Sequence, residues 1–322
     1  MPTVLPHVTV RLRPSHRHAV LPVREAVRRA CPAVLEQPQV AYSAHHTTAG
    51  FLDAEARAQT GPSASAIRRF IAPYRTLFPY GASYQHDQMH LRTELRPEQR
   101  RCEPRNADAH LAYMGAGLVA CLQTVPTEPL ALVDMDGVNT ETGHHRTRRV
   151  TAVGFTEART AAMFEVPVPA PLHPVGATSL RDPRLGVIAR IHAVLAEHTV
   201  HFGCVHLALT DNPDDAALVV NEYEKQLMRH DMTQVLRTPR HFQPKEKEHV
   251  SASVSAIAGD SGAGARAAQE PALRLHDTVR LLVRPPADNG TSRLVQGRYQ
   301  SPIMLHRTPR ERTIRVTVMR YT

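Results

Sequence analysis

With 42% hydrophobic and 21% charged residues over 322 positions, the chain has the composition of a globular protein. At roughly 100–200 residues per domain, its length predicts two domains. The formal charge of +9 comes from scattered arginines with no dense basic run, zinc-finger pattern or RNP-like motif, so nucleic acid is not an expected partner. No apolar stretch approaches the ~20 residues of a membrane span. Trp is absent and aromatics are 5%, which leaves the core to Val, Leu, Ala and Ile. Cys31, Cys102, Cys121 and Cys204 show no Cys-x-x-Cys spacing, and thiols this sparse suit a reducing compartment. Pro2, Pro6 and His7 stand where a signal peptide would place its apolar run, so the expected location is cytoplasmic.

Val8 to Leu12 alternates apolar and polar residues and predicts a strand. Val20, Val23 and Val27 recur at helical spacing and predict an amphipathic helix ending near Pro32. Val40 to Ala44 reads as a strand, Ile67 to Tyr74 as a helix, and His110 to Thr124 as a helix leading into a strand. Leu130 to Val133 and Arg148 to Phe155 read as strands, with a turn at Asp136, Gly137 and Asn139 between them. The order then restarts: strand at Phe164 to Val168, helix at Leu185 to Leu195, strand at Val205 to Leu209, and helix at Tyr223 to Leu236. Leu281 to Val283, Ile303 to Leu305 and Ile314 to Val318 close the chain as strands.

This restart is an internal repeat. Ala49-Gly50-Phe51-Leu52-Asp53-Ala54-Glu55 aligns without gaps on Ala216-Ala217-Leu218-Val219-Val220-Asn221-Glu222. Pro129 to Leu132 matches Pro302 to Leu305, and Arg146-Thr147-Arg148 with Val150 matches Arg310-Glu311-Arg312 with Ile314. The expected division is 1–157 and 158–322. Ser251 to Gln269, rich in Ala, Ser and Gly, reads as a flexible insertion in the second copy, because it lacks the apolar surface that would offset its ordering entropy.

Three histidine-bearing stretches lie in the first half: His45-His46-Thr47-Thr48-Ala49-Gly50, Tyr84-Gln85-His86-Asp87 and Asn106-Ala107-Asp108-Ala109-His110-Leu111. Each sits where a predicted element starts or stops, the usual place for functional side chains. Three converging imidazoles suit zinc or a similar divalent ion, with Asp87 or Asp108 orienting a ligand. The competing reading is that three of 20 histidines fall in loops by chance, and no short His-x-x-x-His spacing decides between them.

In combination and order, these stretches resemble the signature of the YjbQ family, the secondary thiamine-phosphate synthases. That signature runs His-Thr-Thr/Ser-Ala, Asn-Glu, Tyr-x-His-Asp, Asn-Ala-x-x-His-Leu, Gly-x-Trp-Gln and a strand preceded by Arg-x-Arg. The first half matches at His46-Thr47-Thr48-Ala49, His86-Asp87 and Asn106-Ala107 with His110-Leu111. Ala54 departs from the Asn position, and the Gly-x-Trp-Gln segment has no counterpart between Thr124 and Leu130. The second half carries Pro213-Asp214-Asp215-Ala216 in place of the His segment. It keeps Asn221-Glu222, Gly297-Arg298-Tyr299-Gln300 and the Arg310, Arg312 pair.

The resemblance implies an α+β fold of two tandem antiparallel β-sandwich-like copies with flanking helices, assembled as a trimer-like homo-oligomer. It implies a divalent metal, zinc or magnesium, held by His46, His86 and His110. Thr47, Thr48, Asn106, Arg310 and Arg312 would bind a small anionic or phosphorylated ligand, with Glu55, Asp87, Glu222 and Gln300 as catalytic groups. The implied activity is thiamine-phosphate synthase-like, on small phosphorylated heterocycles. A metal-dependent hydrolase on the same histidines and a non-catalytic binding or assembly protein stand as alternatives. Asn221 and Glu222 also suit a helix N-cap and first turn. The complementary losses predict one pocket per chain, in or beside the first half and completed by second-half residues of the same chain or of a neighbouring subunit, with the second-half counterpart inactive because Pro213 cannot ligate a metal.

Overall fold

The computed structural model describes residues 4–93, 95–210, 213–223, 226–244, 271–285 and 292–322; the expected insertion at Ser251 to Gln269 lies outside them. The first half contains β1 (His7–Leu12), β2 (Ala19–Leu21), α1 (Val23–Ala30), β3 (Gln39–Ala44), β4 (Ala49–Gly50), α2 (Ala54–Thr60), α3 (Ala64–Leu77), α4 (Pro97–Cys102), α5 (Ala107–Gly115), β5 (Cys121–Thr124), β6 (Leu132–Asp134) and β7 (Arg148–Phe155). The second half contains β8 (Ala158–Val168), β9 (Gly176–Ser179), α6 (Val187–Glu197), β10 (Gly203–Leu209), β11 (Ala216–Glu222), α7 (Gln226–Arg237), β12 (Thr278–Arg284), β13 (Arg293–Leu294), β14 (Gln300–His306) and β15 (Arg312–Tyr321).

The two halves repeat one topology. The first forms a large sheet ordered β1-β7-β3-β5 and a small one ordered β2-β6-β4; the second forms β8-β15-β10-β12, with β13 at its edge, and β9-β14-β11. All pairings are antiparallel. Isolated bridges join Phe51 to Val119 and Leu218 to His276, which places Phe51 and Leu218 at equivalent positions, as the ungapped alignment expects. A second match needs a correction. Gly50 pairs with Val133 and Ala217 with Leu305, so Leu305 corresponds to Val133, not Leu132. A one-residue slip of this kind exchanges the two faces of a strand.

Within each half a helix closes one side of the apolar core. Val23 and Val27 of α1 are fully buried against Val10, Tyr42 and Val150 of the large sheet and Leu132 of the small one. At about 1.5–3 kcal/mol for each buried Val, this spacing explains why α1 holds its place. In the second half Ile191 and Leu195 of α6 pack in the same manner with Leu207 and Ile314. The two large sheets then face each other through Ala41, Cys121, Val153 and Phe155 on one side and Phe202, Cys204, Leu282 and Tyr321 on the other. Phe155 stacks on Tyr321 at 3.9 Å. The small sheets meet through a shared core with α3, α5 and α7 that includes Tyr113, Val133, Met228, Val235 and Ile303. This arrangement brings α5 of the first half against β11 of the second.

Two expectations change. Asn221 and Glu222 end strand β11, not a helix cap, because their backbone continues the ladder to Ser301 and Gln300. Helix α3 runs past Tyr74 to Leu77 with Pro73 inside it; Ile67, Ile71, Tyr74 and Leu77 bury one face and offset the hydrogen bond that Pro73 removes. Among the described residues no helix is long and apolar enough to cross a membrane.

Candidate metal centre

Asp87 organises the first histidine. Its Oδ1 accepts the N–H groups of Asn106 and Ala107, each at 3.0 Å, and so caps the buried N-terminus of α5. The same oxygen accepts His86 Nδ1–H at 3.0 Å, which leaves Nε2 facing inward, its lone pair available once the ring is neutral. The loop before it is fastened from the other half. Asp231 of α7, fully buried, accepts Gln85 N–H at 3.0 Å and His86 N–H at 2.9 Å.

The second histidine is set by Asn221. The Asn221 amide donates to the His110 carbonyl at 3.1 Å, which fixes its orientation. Its Oδ1 accepts Glu222 N–H at 2.7 Å and lies 2.8 Å from His110 Nδ1, so that nitrogen is the donor and Nε2 again carries the lone pair. Glu222 completes the group. Its Oε1 is 3.8 Å from His86 Nε2 and its Oε2 is 3.6 Å from His110 Nε2, ion-pair distances beyond hydrogen-bond range. One ligand atom from each of His86, His110 and Glu222 lies within 4.8 Å of the others, and all three residues are buried. His86 Nε2 is buried without a hydrogen-bond partner, as a nitrogen awaiting a metal would be.

The electrostatics follow from burial and this geometry. Burial works against charge on His86, but Asp87 and Glu222 outweigh it and raise its pKa to about 9. Burial is the largest influence on His110 and lowers its pKa. On Glu222 the burial effect is outweighed by His86 and His110, which hold the carboxyl below its usual range.

The other expected site residues lie elsewhere. His46 is not in the compact group: its Nε2 accepts the Arg149 N–H at 2.8 Å, and burial followed by Arg148 pushes its pKa down to about 2. Thr48 accepts from Arg148 at 3.2 Å. Asn106 donates to Asp136 at 2.7 Å. Gln300 crosses the seam and donates to the carbonyls of Ala44 and His46 at 2.9 and 2.8 Å. Glu55 projects to solvent from α2, 69% exposed, beside Arg274 and Gln59. Arg312 is buried and held by Asp215 at 3.4 Å and by Thr308, and Arg310 is half-exposed, 3.9 Å from Asp215. Thr47 is half-buried. The structure therefore brings Asp87, His86, His110 and Glu222 together and leaves His46 outside that group.

Sequence reasoning missed Asp231 and the orienting role of Asn221, both supplied by the second half. It also missed Arg148, which equals Arg312 in the repeat. Arg148 donates to Asp134 at 2.7 and 2.6 Å. Position 134 is His306 in the second copy, by the pairings of Ala49 with Asp134 and Ala216 with His306. The carboxylate there has moved to Asp215, the counterpart of Thr48. Each half thus retains a buried Arg with a carboxylate, taken from the end of β6 in the first and from the turn just before β11 in the second.

No family model matches the chain, and no curated protein does. Among solved structures it is similar to a YbjQ-like protein of unknown function from Sulfolobus solfataricus, with 13% identity and a TM-score of 0.32 over 51% of this chain and 99% of that one. An uncharacterized conserved protein of the yjbq/upf0047 family from Clostridium acetobutylicum gives 14% identity and a TM-score of 0.30 over 48% and 98%. A conserved hypothetical protein from Thermus thermophilus gives 17% and 0.27 over 49% and 99%. Each of these structures spans about half of this chain.

Proposed function

We propose that the chain is a metal-dependent protein whose one centre, His86, His110 and Glu222, binds a small phosphorylated ligand. The observation that carries this reading is the convergence of three buried ligand atoms whose histidine Nδ1 groups are already occupied by Asp87 and Asn221. Partners of this kind raise ligand basicity and fix the ring. Two imidazoles and one carboxylate suit zinc or a neighbouring transition ion; magnesium prefers oxygen ligands and retained water. When bound, such a metal would neutralise charge on a phosphate oxygen.

His86 and His110 would hold the ion through Nε2, and Glu222 would hold it from the second half. The division at 157/158 belongs to this proposal: the first copy supplies the histidines, the second supplies Glu222, Asn221 and Asp231. The reaction that the family resemblance implies, joining two phosphorylated heterocycles with loss of pyrophosphate, is the activity to assay first. Hydrolysis is the second reading, because a two-His, one-Glu set with an open position is also a water-activating set.

Elemental analysis of the purified chain tests the centre. We expect about one equivalent of zinc-class metal in wild type and in His46→Ala, and loss in His86→Ala. Equal metal in all three would overturn the assignment.

A further inference from the structure

Arginines far apart in the sequence line the rim of the seam where the two large sheets pack together. Arg11 pairs with Arg149 across β1 and β7. His45 N–H bonds to the Arg149 carbonyl, which extends the same row by one strand. Residues directly opposite in a ladder share a face, so Arg11, Arg149 and His45 point to the same side as Ala41 and Val153, toward the second half.

The second half answers with an equivalent row. Arg284 pairs with Arg293 across β12 and β13, on the face of Leu282 and Val295 that packs toward the first half. Ser43 Oγ donates to the Val295 carbonyl, so the two rows adjoin. His45 senses both: burial lowers its pKa to about 4, and Arg149 and Arg284 act in the same direction.

Two like-charged pairs set directly opposite one another destabilise a sheet. Among the described residues, none of the four guanidinium groups has an ion pair or a hydrogen bond. Arg11, Arg149 and Arg293 are exposed and Arg284 is half-buried. Beside this strip, Gly297 lies so close to the His45 carbonyl oxygen that a Cβ there would collide with it. The next residues place Arg298 5.3 Å from the ring centre of Tyr299, which is 40% exposed.

We propose that this rim binds single-stranded nucleic acid, its phosphates lying along Arg11, Arg149, Arg284 and Arg293 and a base stacking on Tyr299. Three adjacent strands at about 4.8 Å spacing span roughly 10 Å on the first-half side alone. The strip then continues across the seam, so it is longer than one phosphate can occupy. A basic track along the phosphates with an exposed aromatic for a base to stack on is the combination that holds single strands without sequence preference.

The test is fluorescence anisotropy of the full chain with labelled oligo-dT and oligo-U, measured across salt concentrations. We expect binding that weakens steeply with salt. The quadruple variant R11S/R149S/R284S/R293S should bind at least 100-fold more weakly. Its slope of log affinity on log salt should be lower by about 3, at ~0.7 for each lost phosphate contact. Tyr299→Ala should weaken binding about tenfold. The control R159S/R315S removes two arginines paired with Glu157 and Glu165 and should bind as wild type. Thermal melts establish that the quadruple variant is folded, and relief of like-charge pairs should leave its midpoint no lower. Equal binding by wild type and quadruple variant, no binding of either oligonucleotide, or competition-sensitive binding of inorganic pyrophosphate alone would each overturn the proposal.

Discussion

Glu222 Oε2 lies 3.6 Å from His110 Nε2, although the two residues stand in different copies of the repeat. The contact exists because β11 ends against α5, where Asn221 exchanges hydrogen bonds with both the ring and the backbone of His110. A centre built this way depends on the docking of the two halves as much as on its ligands.

Removing an orienting group should therefore weaken metal binding without removing a ligand. Asn221→Ala leaves His110 Nδ1 without its acceptor, and an outer-sphere loss of this kind costs 10–100-fold in affinity. Competition titration against a chromophoric chelator measures it. Unchanged affinity in Asn221→Ala would mean that His110 is not held for a metal.

Metal affinity should rise with pH up to about 9. The raised pKa of His86 means that a proton occupies the metal-free centre below that value, and the metal must displace it. The sign for stability runs the other way. A raised folded-state pKa contributes stability that is fully present below the ordinary value of 6.5 and is lost as pH rises through about 9. Chelator-treated protein should lose stability over that window, and metal-loaded protein should not. Thermal melts with and without metal at pH 6, 7.5 and 9 check both.

Acid should destabilise the fold through buried neutral histidines. Burial first, then nearby arginines, lowers His46 to about 2, His18 to about 3 and His45 to about 4. The unfolded chain takes up these protons from pH 6.5 downward while the folded chain does not, so stability falls below 6.5, by up to about 1.4 kcal/mol per pH unit for each group. Urea unfolding between pH 7 and 4.5 reads the slope, and His18→Gln should flatten it. A slope unchanged in that variant would show that His18 is not buried neutral.

Asp134→Asn should be among the most damaging single changes outside the centre. It turns one of the two oxygens that accept from the buried Arg148 into an amide donor and removes the countercharge, and breaking a buried pair costs about 3–5 kcal/mol. Asp215→Asn should cost less, because that carboxylate is 31% exposed and 3.4 Å from Arg312. Denaturant midpoints of the two variants rank them. Equal effects would mean that the two arginines are held by other groups.

Local patterns in the sequence carried much of the architecture. Strand β1 lies where alternating apolar residues place it, Val23 and Val27 form the buried stripe of α1, and the gapless match of residues 49–55 to 216–222 is reproduced by the paired bridges at Phe51 and Leu218. His86 and His110 also stand out as motif residues before any coordinates, because each closes or opens a predicted element. The complementary losses of motif between the halves give the further expectation that the second copy completes the first.

Only the tertiary structure decided which groups meet. His46 is a motif residue, yet its Nε2 is taken by the Arg149 N–H, an antiparallel backbone neighbour that no local pattern reveals. Glu222, adjacent to a residue that suits a helix cap, ends a strand and reaches two histidines 136 and 112 positions earlier in the chain. The arginines of the rim look scattered in the sequence because register between distant strands gathers them. The physical reason is common to all three: amphipathic period and turn chemistry act over a few residues, whereas ligand sets and charge rows are fixed by the docking of sheets whose strands come from both ends of the chain.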